Sequence, residues 1–547
     1  MNANNDKENN NNNREEDRNV ESLNSHLPDT VITPCFDVFK KRISRVLIIS
    51  CVNGSLGDIK PMLQLAKSIA QMEPSWTKIC IIVNEYFESA CDELQLKDEN
   101  NVEVHLIASK SCSYLDILSR DRKTSKSVFD YFLSTTVEHY RVLKSISASF
   151  ENVLVCGIPL DFACKLLQEE AKMKDVDSNN TFEFVTILLT PALLRSSDVV
   201  HHPVTGLACT SQFDFKLNDW FIDFRLAKSI DKIRKQIGII VVRDDARRFK
   251  TSTFTDFLFL EKSICLFPQW FHTHEIPSKY PSMMKSLHLS QTNFPTAAVA
   301  FGSNNNEEKL SEDLLESIEE NIFSRFFSRD CDSPTSEPTT ILVCVSASGN
   351  PEISSKYFKQ IIDAAMSRRE TVACILLTKF PNRLPELKYQ SNVENKENVF
   401  HIDFCPLPAL LTYLSKELGT NVIVVNHATI GVCKTALALS IPQILIPLSF
   451  DQPDNARRLV ELKVALSCSI KTFSKKKFLH MIDQIEKNRR VFELNCERVH
   501  SEEILLSSSS TSSSLAEAAD ILIELLFGKR GWNHQLGLRK QKKNTIT

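Results

Sequence analysis

Two stretches of the sequence hold side chains fit for chemistry. The first is Asn53-Gly-Ser-Leu-Gly-Asp58, between an apolar run and a helical pattern. Gly54 and Gly57 are two of only 12 glycines in 547 residues. Glycines this close together imply positive φ or a close approach of the backbone to something else. A turn between a parallel strand and a helix sits at the carboxyl edge of the sheet, where ligands bind. It presents the carboxylate of Asp58 at a helix N-terminus. That group either serves a ligand at the sheet edge or merely caps free N–H groups, and the loop alone favours the cap. The spacing is not GxGxxG, and GxxxxGK[ST] does not occur, which weakens dinucleotide and P-loop readings.

The second stretch runs from Val422 to Asn455 and reads as strand, polar loop, helix, strand, polar loop. His427 leaves the strand where helix N-terminal amides begin, a ready anion site for a phosphate. Asp451 and Gln452 end the next strand on the same edge of the sheet. A carboxylate beside an amide supplies several acceptors and donors for vicinal hydroxyls. By itself His427 reads as a satisfied strand-end histidine. Paired with Asp451 and Gln452 it points to a nucleotide-diphosphate sugar.

The elements that must position these groups are legible as an alternation. Arg45–Cys51, Lys78–Val83, Asn101–Ile107, Asn152–Cys156 and Phe182–Leu189 are short apolar runs separated by helical stretches, the first helix being read over Pro61–Ala70. The rhythm breaks between Ser290 and Pro338. It restarts with Thr340–Val345, a helix over Ser354–Arg368, Val372–Leu377, Phe400–Ile402, Val422–Val425 and Gln443–Ile446. Such alternation predicts an α/β fold with open parallel sheets covered by helices on both faces, and the length suits two doubly wound halves. Ser507–Ser514 is a linker by composition, followed by an apolar stripe of Leu515, Ala518, Ala519, Leu522, Leu525 and Leu526 on a terminal helix.

Composition excludes several classes. Lys plus Arg is 65 and Asp plus Glu is 68, a formal charge of −3, which gives no global field to attract nucleic acid. The 16 cysteines are scattered, with no CxxC, so zinc ribbons and redox pairs are disfavoured. Buried thiols in a reducing, cytoplasmic compartment are expected. No apolar stretch approaches the ~20 residues of a membrane helix. The basic end from Lys529 to Lys543 reads as a solvated tail, with a nucleic-acid or peripheral membrane contact as the alternative.

At these residues the sequence resembles the UDP-glycosyltransferase superfamily, most of all the branch with sterol glucosyltransferases and bacterial antibiotic glycosyltransferases. Gly54-Ser-Leu-Gly-Asp-Ile-Lys-Pro61 is similar to that branch's G-[ST]-x-G-D-x-x-P loop. His427, Gly431, Ile441-Pro442, Pro447, Asp451-Gln452 and Asn455-Ala456 fall in register with its donor block. The resemblance spans about residues 44–527. It implies a GT-B fold, two Rossmann-like domains with doubly wound parallel sheets facing across a cleft. The implied organisation is a disordered leader over 1–40, an acceptor-binding domain over 41–290, a connection and variable insert over 291–338, a donor-binding domain over 339–505, and a linker, terminal helix and basic tail over 506–547.

The same resemblance implies an inverting transfer of a hexose from a UDP-sugar to a hydroxyl of a small apolar or lipid, sterol-like acceptor. No cofactor is implied beyond the donor substrate, and no metal. Asp58 would be the general base, with Gly54 and Gly57 shaping its loop. Ser55, Ser348, His427, Thr429, Gly431 and Val432 would meet the donor, Phe404 would stack on the base, and Asp451 and Gln452 would hold the sugar. Ala428-Thr429 replaces the family's Gly-Gly, and Val432 replaces a Thr. A lost hydrogen bond to a charged group costs roughly 1.5–3 kcal/mol. The alternative reading is therefore a weak or silent GT-B scaffold that binds a nucleotide-sugar, lipid or protein partner, and a third is another enzyme on the same architecture, such as a nucleotide-sugar epimerase. The acceptor, the sugar and the oligomeric state stay open at this level.

Overall fold

Strand β1 (Arg45–Cys51) is buried from its second residue onward. A run that is apolar on both faces suits a parallel strand covered by helices on each side. Its alternate residues serve different cores: Leu47, Ile49 and Cys51 join one apolar cluster, Val46 and Ile48 another. Ser50 is the polar exception on the second face and is fully buried. A computed structural model of the chain describes residues 45–54, 56–72, 77–108, 124–174, 181–189, 201–202, 207–209, 212–239, 260, 262–267, 288–292, 310–318, 340–346, 351–378, 384, 398–403, 405–448, 450–508 and 515–527. All of them belong to one unit of contacts, Ile43–Thr547.

β1 is followed by β2 (Lys78–Asn84), β3 (Val102–Ile107), β4 (Asn152–Gly157), β5 (Thr181–Leu188), β6 (Lys262–Leu266) and β7 (His288–Thr292). They form one seven-stranded sheet in the order β3-β2-β1-β4-β5-β6-β7, parallel throughout. A second sheet holds β8 (Thr340–Val345), β9 (Val372–Leu377), β10 (Val399–Ile402), β11 (Asn421–Asn426), β12 (Gln443–Leu445) and β13 (Ala465–Ser467). Its six strands run in the order β10-β9-β8-β11-β12-β13, again all parallel. In both sheets the order reverses beside the first strand, between β1 and β4 and between β8 and β11. That reversal opens the crevice at the carboxyl edge where doubly wound sheets bind ligands.

Helix α1 (Leu56–Met72) turns Ile59, Met62, Leu63, Ala66, Ile69 and Ala70 inward, all buried and at helical spacing. It starts at Leu56, five residues before the Pro61 where sequence reading opens it, so Asp58 lies within its first turn. Pro61 stands inside the helix and cannot donate to the carbonyl four residues back, that of Gly57. Helices α2 (Thr124–Ser147) and α3 (Phe162–Lys174) cover the Ser50 face of the first sheet.

A further helix over 515–527 returns to the first sheet. Its Leu515, Ala518, Ala519, Leu522 and Ile523 join the apolar cluster that holds Leu47, Ile49 and α1. The Arg45 guanidinium lies 4.5 Å from the centre of the Phe527 ring. Among the described residues no helix is long and apolar enough to cross a membrane.

Candidate functional site

The loop after β1 is shaped by the side chain it carries. Gly54 has φ +145°, and a Cβ there would come within 3.0 Å of Asp58 Cβ and 3.1 Å of Asp58 Oδ2. Asp58 thus folds back over Gly54 into space that only glycine leaves. Gly57 is exposed and Asp58 half-buried. Ser55, Ser348 and Phe404 lie outside the described residues.

In the second sheet His427 follows β11 directly and is buried. Its Nδ1 is 2.9 Å from the carbonyl oxygen of Ile446. A carbonyl only accepts, so Nδ1 carries the proton. Nε2 is then the acceptor, 2.8 Å from the Ser346 hydroxyl just past β8. The ring also lies against Tyr357 of helix α5 (Pro351–Ser367), centroids 4.6 Å apart. Burial pushes its pKa down to about 4. His427 is therefore a neutral ring bridging the switch point between β8 and β11. A phosphate oxygen that reached Nε2 would have to displace Ser346 and draw a proton onto the ring.

The following residues form a braced turn. Ala428 has φ +62°, a left-handed conformation that costs a residue with a Cβ roughly 1–2 kcal/mol. Its N–H donates to Asn426 Oδ1 at 2.7 Å, its carbonyl accepts from Asn455 Nδ2 at 3.2 Å, and Asn426 Nδ2 donates to Gln443 Oε1 at 3.3 Å. Thr429 is the N-cap of helix α6 (Ile430–Ala438) and makes no capping bond with its side chain. Helix geometry leaves the first N–H groups, at Ile430, Gly431 and Val432, without intrahelical acceptors. Gly431 is exposed and a Cβ there would meet open space, whereas Val432 packs against the core beside it.

These amides predict opposite signs for one substitution. Gly431→Ala is expected to stabilise the fold by about 0.5–1 kcal/mol through helix propensity. If a diphosphate is held at these amides, the added methyl stands in its way and nucleotide affinity should fall roughly tenfold. Thermal melting and calorimetry with UDP check both halves. An unchanged affinity would place the diphosphate elsewhere.

Asp451 is the N-cap of helix α7 (Gln452–Glu461). Its Oδ2 accepts from Asn455 Nδ2 at 2.7 Å, so Asn455 links the turn at Ala428 to α7. Gln452 Oε1 accepts from the Leu448 amide at 2.9 Å. Burial is the first cause that raises the Asp451 pKa to about 7, and the charge of Asp58 is the second. The carboxylate after β1 and the carboxylate after β12 therefore act on one another. Other contacts join the same two halves. His201 is held below its ordinary pKa by burial first, and the charges of Asp454 and Arg457 on α7 act on it too. One apolar cluster runs from Val46 and Ile48 of β1 to Ala428, Cys433 and Leu437.

Asn426 and Ser346 go unnamed as site residues in sequence reading, although each stands at the end of a central strand, the one local signal that marks them. Asn455 is visible there only as part of the donor block. Tyr131 and Phe132 are core, whereas Trp220 and Phe221 on helix α4 (Gln212–Gln236) are 63% and 47% exposed.

The sequence matches no family model and no curated protein. Solved structures do match. The glycotransferase of kitacinnamycin superposes with a TM-score of 0.51 at 14% identity, over 89% of this chain and 99% of that one. CalG4, the calicheamicin glycosyltransferase, gives 0.51 at 12% identity over the same shares. At such identities the likeness is one of fold, and the fold is GT-B.

Proposed function

We propose that the chain is an inverting glycosyltransferase that moves a hexose from a UDP-sugar to a hydroxyl of a small apolar or lipid acceptor. The observation that carries this reading is that the charge of Asp58 acts on Asp451, which supports a common cleft between the loops after β1 and β12. In this reading Asp58 takes the proton of the acceptor hydroxyl as its oxygen attacks the sugar C1. The bond from C1 to the phosphate oxygen breaks, and the nucleoside diphosphate leaves with the electron pair. The amides at Ile430, Gly431 and Val432, with His427 and Thr429 beside them, meet the diphosphate, and charge there is stabilised by donors already in place. Asp451 and Gln452 hold sugar hydroxyls, Phe404 stacks on the base, and Ser55 and Ser348 add donors. The 13 described cysteines are all buried, as the thiols of a reducing, cytoplasmic setting would be.

The test is nucleoside diphosphate release from UDP- and dTDP-sugars, with and without a library of hydroxylated apolar acceptors. Acceptor-dependent release is expected; its absence with every donor would remove the reading.

A second reading, a scaffold that binds donor without turning it over, is favoured by two observations. The Ala428 amide is already engaged by Asn426, and both ring nitrogens of His427 are engaged within the protein. Calorimetric binding of UDP without release of product in the same assay would select it.

A further inference from the structure

Asp58 stands on a turn that its own helix holds only weakly. Pro61 removes the helical bond to the Gly57 carbonyl, and Gly54 just before the turn has φ +145°. The position of such a turn has to be set from outside. We infer that Asp161 is the positioning residue of this loop: its carboxylate clamps the Val52 and Asn53 amides and so fixes where Asp58 stands. The inference rests on the reading of Asp58 as the base.

Asp161 closes the loop after β4 and immediately precedes α3, yet its carboxylate turns to β1 and the loop that follows. Oδ1 accepts from the Asn53 amide at 3.0 Å. Oδ2 accepts from the Val52 amide at 3.3 Å and from the Ser50 hydroxyl at 2.7 Å. The side chain of Asn53 is tied down as well, Nδ2 to the Leu160 carbonyl at 3.0 Å and Oδ1 from Thr135 Oγ1 at 3.1 Å. Asn53, Ser50 and Asp161 are all buried, so water does not compete for these bonds. The clamp therefore crosses the switch point from β4 to β1.

The protons in this cluster point one way. With Asp161 ionised, above about pH 7, Ser50 gives its proton to the carboxylate, so the contact of 2.8 Å with His139 Nε2 is a donation from the ring to Ser50 Oγ. His139 Nδ1 is then a bare acceptor, without a hydrogen-bond partner among the described residues. Three donors converge on the two oxygens of Asp161. An asparagine has one oxygen to offer, and its NH2 group would face donors. A neutral isostere thus keeps the volume and loses the clamp. The second sheet has a counterpart, since Ser346 and His427 also bridge its switch point, there with the hydroxyl donating to the ring.

The test is amide hydrogen exchange together with steady-state kinetics on the full chain at about pH 8, where Asp161 is ionised. In the native protein the Val52 and Asn53 amides, beyond the end of β1, are expected to be protected as well as those of β1 itself. Protection no better than that of an open loop would overturn the clamp without any variant being made. Asp161→Asn should speed exchange at both amides by about ten- to a hundredfold, the cost of a bond to a charged group, and leave residues 421–430 unchanged. Its kcat should fall while the KM for donor stays. Ser50→Ala keeps both amide bonds and should leave their exchange near the native rate. Native exchange in Asp161→Asn, equal loosening in Ser50→Ala, or loosening of both halves together would each overturn the inference. If exchange responds as stated and the native protein releases no nucleoside diphosphate from any donor, the clamp stands and the reading of Asp58 as base falls.

Discussion

Replacing Asp58 with asparagine is expected to slow sugar transfer by roughly 10²–10⁴-fold, the usual worth of a positioned general base. The donor should bind as before, because all but one of the groups assigned to it, Ser55, belong to the second half of the chain, after β8. The loss should therefore appear in kcat, with the KM for donor little changed, which marks an interaction made only in the transition state. A second readout follows from the carboxylate pair. The charge of Asp58 helps hold Asp451 near pKa 7, and burial does the rest. Removing that charge should let Asp451 fall part of the way back toward the ordinary carboxylate range. Carboxyl titration by NMR checks this without any substrate. If the variant transfers sugar within tenfold of the native rate, Asp58 is a helix cap and the base lies elsewhere. If Asp451 titrates as before, the two acids do not share a site.

What sequence could convey of this site follows from how local each signal is. Central strands announce themselves because burial on both faces demands apolar β-branched runs, as in Arg45–Cys51 and Val422–Val425. β7, His-Leu-Ser-Gln-Thr, and β13, Ala-Leu-Ser, are edge strands without that demand, and they escape the pattern. So does β6, Lys-Ser-Ile-Cys-Leu, which is buried between β5 and β7 but only five residues long. The first helix reads five residues late because proline favours a first turn, whereas here Pro61 stands inside the helix and frees a carbonyl. Asp58 and Asp451 are visible because each sits in a short motif beside glycine or glutamine. Asp161, Ser50 and His139 are not, for the bonds that join them span 89 and 111 residues and no spacing rule covers them. The tautomer of His427 is equally hidden, since it is set by the carbonyl of Ile446. The stripe on the terminal helix is readable; that it closes the core of the first sheet is a tertiary fact.

The largest expected effect on stability comes from the cluster behind that first loop. Burial raises the Asp161 pKa to about 7 and lowers the His139 pKa to about 3. Between about pH 4.5 and 6 the unfolded chain carries one proton on this pair, on the histidine. The folded chain also carries one, on the aspartate. Equal proton counts mean that the pair adds no slope to stability against pH, although each member alone would add a steep one. A histidine with a depressed pKa contributes stability that is complete above its unfolded value and lost as pH falls. An acid with a raised pKa does the reverse, losing stability as pH rises toward its folded value. Asp161→Asn removes the acid and leaves the histidine exposed to titration. Its stability relative to the native chain should fall by up to about 1.4 kcal/mol per pH unit on acidification, or about 2.5 kcal/mol from pH 6.5 to pH 4.5. His139→Gln should show the opposite slope, losing stability as pH rises over the same window. Urea unfolding of the three proteins across that window decides the matter, and comparing each variant with the native chain cancels titration elsewhere. Two variants with parallel curves would show that the pair does not exchange a proton between its members on folding, and that Asp161 stays ionised in the folded state.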